Sequence, residues 1–146
     1  MDHIERQREL LEASGFVIPG NVYKIHYTIL KFGHPESPTH FSTNVTEMLR
    51  NIRAVTVIPI STKRYRHKNV VHLNLSTDST LKPLEDEDLN QTSFAILALP
   101  KQIKVEQLFE EPTTHLRGAL KDDKTKELLE ARKNFLKYQF KKHGRH

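Results

Sequence analysis

The order of apolar and polar positions divides the chain into short extended runs followed by one long helical run. Val22 to Ile29 alternates, with Tyr23, Ile25, Tyr27 and Ile29 on one side and Lys24, His26 and Thr28 on the other. That two-residue period predicts a strand. Ala54 to Ile60 is short and rich in β-branched residues, which also predicts a strand. Asn69 to Leu75 sets Val70, His72 and Asn74 against Val71, Leu73 and Leu75, a further strand pattern. Ser93 to Leu99, reading SFAILAL, is the most apolar run and predicts a buried strand; Pro100 interrupts it, and Ile103 and Val105 continue extended. His40 to Glu47 leaves two readings open. Phe41, Thr43 and Val45 alternate as in a strand, whereas Thr46 to Ile52 fits a helical turn.

The period changes toward the C-terminus. From Lys124 to Phe140, Leu128, Ala131, Phe135 and Tyr138 recur at steps of three and four, and Leu129, Leu136 and Phe140 widen the stripe. Asp122 and Asp123 are suited to cap the start of this helix, and basic residues crowd its last turns, where they complement the dipole. At the other end, Asp2 to Ala13 predicts a short helix with Ile4, Leu10 and Leu11 on one side and Gly15 as its stop. Pro19-Gly20-Asn21 is a turn signal. Lys31 to Thr39, with one Gly and two Pro, is a loop longer than a tight hairpin needs. Ser76 to Thr92 is a polar connection anchored by Leu81, Leu84 and Leu89, with a helical turn at Glu85 to Leu89. A second helical turn is expected at Glu106 to Phe109, and loop from Glu111 to Arg117. Strands first and one long helix last predict a mainly β chain with helices, a small curled sheet with helices laid on it. The division is a helical extension over residues 1–18, a single domain over 19–140 and a basic tail over 141–146.

Composition narrows the function. The 146 residues suit one domain with a real core, and 36% hydrophobic with 28% charged residues is a globular balance. No apolar run approaches the roughly 20 residues of a membrane helix. The start, MDHIERQRELLEASG, lacks the apolar centre of a signal peptide, so a cytoplasmic location is expected. The absence of Cys excludes disulfides and thiolate metal sites. His143 and His146 have near-metal spacing but no third ligand, so neither metal nor cofactor is expected. A net charge of +5 points to a polyanionic partner, nucleic acid first. One basic cluster, Lys63, Arg64, Arg66 and Lys68, follows Ser61 and Thr62 and contains Tyr65. A cationic, aromatic loop between two strands is a natural anchor for a phosphate chain, and equally the composition of an ordinary exposed hairpin loop. The second cluster, from Arg132 to Arg145, also suits a solvated helix end.

Four pieces of the chain then fall in a familiar order. They are Gly20-Asn21-Val22-Tyr23, Val57-Ile58-Pro59-Ile60-Ser61-Thr62, Ser93 to Val105 with Lys101-Gln102-Ile103-Lys104-Val105, and Gly118-Ala119-Leu120 before the terminal helix. From about Pro19 to Leu136 the chain resembles the PemK/MazF family of toxin endoribonucleases. The resemblance implies a small SH3-like β-barrel with helices, usually a homodimer, and metal-independent cleavage of single-stranded RNA. It also implies an antitoxin partner whose disordered tail covers the RNA groove. The family's Arg-Pro pair at the second strand has no counterpart here. Counting back from Pro59 without gaps reaches Pro38, Thr39 and His40, and no Arg occurs until Arg50. Lys101 also stands where the family commonly has an acidic residue.

Metal-free RNA cleavage uses the 2′-hydroxyl as nucleophile and needs a base, an acid and cations for the phosphorane charge. His serves the first two near neutral pH, and Arg matches phosphate geometry. The catalytic candidates are therefore His40, Ser61, Thr62 and His67. The RNA-binding candidates are Lys63, Arg64, Tyr65, Arg66 and Lys68, joined by His26 on the polar side of its strand and by Gln102. His40 and His67 also read as plain loop residues, and His34, His72 and His115 are assigned no role. Two other functions fit the same residues: a non-catalytic module of this fold that binds RNA or a protein, and a structural protein whose basic loop has no function.

Overall fold

The computed structural model describes residues 18–33, 35–46, 54–63, 68–109 and 114–143. Seven strands are present among them: β1 (Asn21–His26), β2 (Thr39–Asn44), β3 (Ala54–Ser61), β4 (Val70–Asn74), β5 (Thr92–Ile96), β6 (Lys101–Lys104) and β7 (Thr114–Ala119). The helices are two single turns, α1 (Tyr27–Leu30) and α2 (Leu75–Asp78), and the long α3 (Asp122–His143); a 3-10 turn spans Val105–Phe109. All strand pairs are antiparallel and run β4-β5-β3-β2-β1-β7. β3 carries two partners on its other edge: Ile60 and Ser61 pair with β5, while Ala54 to Val57 pair with β6. The path is not closed into a barrel. Its ends meet at a bridge between Ser79 and Leu120, where the Thr80 N–H donates to the Ala119 carbonyl and the Lys121 N–H to the Asp78 carbonyl, each at 2.8 Å.

Strand alternation sends side chains to two cores. On one face Val22, Ile58, Ile60, Val71, Leu73 and Ala95 are buried together with Leu128 of α3, and Leu129, Ala131 and Phe135 pack beside them. On the other face Tyr23, Ile25, Val55, Val57 and Ile103 are buried under Leu30 of α1 and Val105 and Leu108 of the 3-10 turn. The mainly β class is as expected. Several boundaries differ. The first strand ends at His26 rather than Ile29, because the His26 side chain accepts the Thr28 N–H and starts a helical turn, which Lys31 closes at φ 57. Thr39–Asn44 takes the extended alternative, whereas most of the competing Thr46 to Ile52 segment lies outside the described residues. The helical turn expected at Glu85 to Leu89 is instead at Leu75–Asp78, where Asn74 caps it. The stretch from Thr114, expected as loop, is a strand. α3 begins at Asp122, so Asp122 and Asp123 sit in its first turn instead of capping it, and it continues past residue 140 to His143. Tyr138 is 61% exposed and leaves the expected stripe. The extension over residues 1–17 lies outside the described residues.

One charged cluster ties the 81–89 connection to the sheet. The register of β1 and β7 shifts between Val22 and Tyr23, and Arg117 falls at this irregularity. Such a bulge re-aims a side chain. Arg117 donates to both Glu87 carboxylate oxygens at 2.7 Å and to the Lys82 carbonyl at 3.0 Å, and Lys24 Nζ donates to Glu87 Oε2 at 3.0 Å. Both cations lie 5.4 Å from the Phe41 ring centroid, within cation–π range. The Arg117 hydrogen bonds chiefly, aided by the Leu84 N–H and Lys24, lower the Glu87 pKa from 4.5 to about 2. A carboxylate with a depressed native pKa stabilises the fold above its unfolded pKa, and that contribution is lost as pH falls through the native one. Urea midpoints of the native protein are therefore expected to fall between about pH 4.5 and 2, and to fall less in Glu87→Gln. Identical acid dependence in the two proteins would contradict the role given to Glu87.

Candidate functional site

The register brings the candidate residues into relation. Ile25 is opposite His40, and Phe41 is opposite Ile60, where the ladder between β2 and β3 ends, so His40 and Ser61 are the next residues of their strands beyond it. Ser61 is opposite Phe94, which is opposite His72, and on the far side Ile25 is opposite Thr114. Residues directly opposed in antiparallel strands share a face. Two paired rows therefore share one face, His72–Phe94–Ser61 and His40–Ile25–Thr114, and their ends lie on the adjacent strands β3 and β2. His72 is exposed and meets the Phe94 ring edge-on at 5.0 Å.

His40 is half-buried, with its ring edge-on to Phe32 at 5.2 Å. Gly33 lies over it. A Cβ on Gly33 would stand 2.5 Å from His40 Cδ2 and 2.6 Å from Nε2, and the backbone there has φ +113. Glycine is thus required at 33 on two counts, conformation and close approach. His40 Nε2 is buried and has no hydrogen-bond partner among the described residues; Ser42 Oγ and Thr114 Oγ1, on the same face, are buried in the same condition. Burial first, and then the charges of Lys24 and Lys63, lower the His40 pKa below its ordinary 6.5. The shift favours the neutral imidazole, the form that accepts a proton.

Ser61 is buried, and its Oγ accepts the Lys63 N–H at 3.1 Å. This local bond turns the chain out of β3 and leaves the hydroxyl proton available. Thr62, Lys63 and Lys68 are exposed at the two ends of the following loop. Arg64, Tyr65, Arg66 and His67 lie outside the described residues. Two candidates separate from these rows. His26 is opposite Thr39, so it faces away from His40; its Nδ1 is 2.7 Å from Thr28 Oγ1, and its ring serves the start of α1. Gln102 is exposed opposite Thr56, again on the face away from Val55, Val57 and Ser61. Neither is brought to His40. Among the described residues no group of three or more His, Cys, Asp or Glu side chains is placed to hold a metal ion, and no helix is long and apolar enough to cross a membrane.

Sequence reasoning missed Gly33, Phe94, His72 and the buried hydroxyls of Ser42 and Thr114. The Gly33 contact is testable. Gly33→Ala is expected to destabilise the protein by more than about 1 kcal/mol. In a His40→Ala background the steric part disappears, so a double-mutant cycle by urea denaturation should give a coupling of at least about 0.5 kcal/mol. Strictly additive costs would mean that Gly33 is needed for its φ alone.

No protein-family model matches the chain, and neither does any curated protein.

Proposed function

We propose that this chain is the toxin of a toxin–antitoxin pair, a PemK/MazF-like endoribonuclease that cleaves single-stranded RNA without a metal ion. In this reading the open sheet is an SH3-like barrel with one loose seam at Ser79–Leu120. The protein works in the cytoplasm as a homodimer and is held inactive by its antitoxin. The observation that carries the reading is that His40 and Ser61 lie on adjacent strands, each one residue beyond the Phe41–Ile60 pair, with His40 within electrostatic reach of Lys63.

The chemistry follows from that placement. The 2′-oxygen of RNA attacks the adjacent phosphorus, its proton goes to a base, and the bond from phosphorus to the 5′-oxygen breaks as that oxygen takes a proton from water. The products are a 2′,3′-cyclic phosphate and a 5′-hydroxyl. His40, whose neutral form is favoured, is the base. The Ser61 hydroxyl donates to a phosphate oxygen, and Lys63 and Lys68 offset the phosphate charge. Because Gly33 covers Nε2, Gly33 must move aside before that nitrogen can take a proton.

That same cover favours a second reading. With His40 where the family carries Arg, and with Nε2 enclosed, the chain would be a module of this fold that binds RNA or a protein without cleaving.

His40→Ala and Ser61→Ala are each expected to lower the single-turnover cleavage rate about a hundredfold with RNA affinity nearly unchanged. The acid limb of the wild-type pH–rate profile should lie below pH 6.5, because the His40 pKa is depressed. Undiminished cleavage by both variants would remove the pair from the mechanism. Wild-type protein that binds RNA but leaves it intact would establish the second reading. Lys63→Ala and Lys68→Ala should each flatten the log–log salt dependence of RNA binding by about 0.7. An unchanged slope would exclude the loop from the RNA contact.

A further inference from the structure

Helix α3 is longer than the core it covers. Leu128 is fully buried, and Leu129, Ala131 and Phe135 pack against the larger core. Beyond them Leu136 and Phe140 are 45% and 78% exposed. These two residues are one turn apart on the same side of the helix. With Lys133 and Lys137 they line an open, largely apolar groove. The surface combines two large apolar side chains with two positive charges.

The opposite combination occurs in the connection between α2 and β5. Leu84 is 59% exposed and is followed by Glu85, Asp86, Glu87 and Asp88. Glu87 turns inward to Arg117 and Lys24, and its Oε1 accepts the Leu84 N–H at 2.8 Å. Asp86 holds φ 66, a left-handed conformation. The ion pairs thus fix the shape of this loop, and Leu84 stands beside the exposed Glu85, Asp86 and Asp88. It offers one apolar side chain with three negative charges.

We propose that the end of α3 is a docking surface for a second copy of this chain. Leu84 of one copy seats between Leu136 and Phe140 of the other, and Glu85, Asp86 and Asp88 face Lys133 and Lys137. Charge complementarity selects this occupant, and the apolar match distinguishes it from a simple polyanion. RNA phosphates would satisfy the lysines but would offer Leu136 no apolar cover. Two reciprocal contacts of this kind would relate the copies by a two-fold axis. The inference deepens the homodimer element of the proposed function and does not depend on RNA cleavage.

The test is a charge swap in the full chain, read by sedimentation equilibrium. The wild type is expected to be a dimer at micromolar concentration. K133E/K137E and E85K/D86K/D88K should each raise the dimer dissociation constant about tenfold or more. An equimolar mixture of the two should regain the dimer mass, because each reversed surface then meets its complement. All five positions are exposed, and unchanged circular dichroism would verify the fold of each variant. A monomeric wild type would overturn the proposal. So would a dimer that survives both reversals, or a mixture that stays monomeric. Loss of RNA binding with no change in mass would assign the lysines to RNA and overturn it equally. Cleavage measured on the same samples reports on the nuclease reading alone, so failure of one is distinguishable from failure of the other.

Discussion

A single strand, β3, has to satisfy three neighbours. β2 takes one edge from Val57 to Ile60, while β6 and β5 divide the other between Ala54–Val57 and Ile60–Ser61. Its alternation supplies both cores, with Ile58 and Ile60 on one face and Val55 and Val57 on the other. Every residue of β3 from Val57 to Ser61 is buried. A one-residue slip would exchange the two faces completely. It would also move Ser61 off the face that holds His40, and move the start of the 62–68 loop with it. The position of the candidate site is therefore set by the register of β3.

The electrostatics join the two sides of the sheet through Lys24. On one side it pairs with Glu87 beside Arg117 and fixes the 81–89 connection. Its charge also helps keep His40 unprotonated. Glu87 gains partners on folding and is held ionised, whereas His40 loses solvent, finds no partner for Nε2 among the described residues and is pushed toward its neutral form. The two shifts have opposite physical origins: hydrogen bonds to the charged form in one case, burial in the other.

Much of the sheet was legible in the sequence because β-branched and alternating runs are local signals. The Val and Ile content of Ala54 to Ile60, the alternation from Val70 and the apolar run from Ser93 each mark a strand that is present. The failures are also local in origin. Tyr27 and Ile29 continue the alternation of β1, but the His26 side chain captures the Thr28 N–H and bends the chain into a turn. Thr114 to Ala119 reads THLRGA, with little β-branched content, and becomes a strand because β1 offers it an edge. His40 and Ser61 could be chosen singly by residue type and by family resemblance. Their adjacency comes from sheet register, and the Gly33 cover comes from a contact between a loop and a ring. Neither leaves a periodic trace in the sequence. His26 is a candidate by polarity and Gln102 by its place in the family motif, and register sends both to the opposite face.

The central claim is that the face carrying His40 and Ser61 breaks RNA by its own side-chain chemistry. The most direct measurement is to incubate the purified chain with a mixed-sequence single-stranded RNA in excess chelator and identify the new ends. The account predicts discrete fragments bearing 2′,3′-cyclic phosphate and 5′-hydroxyl ends, formed at the same rate with and without the chelator. Intact RNA, or cleavage that a chelator abolishes, would contradict it.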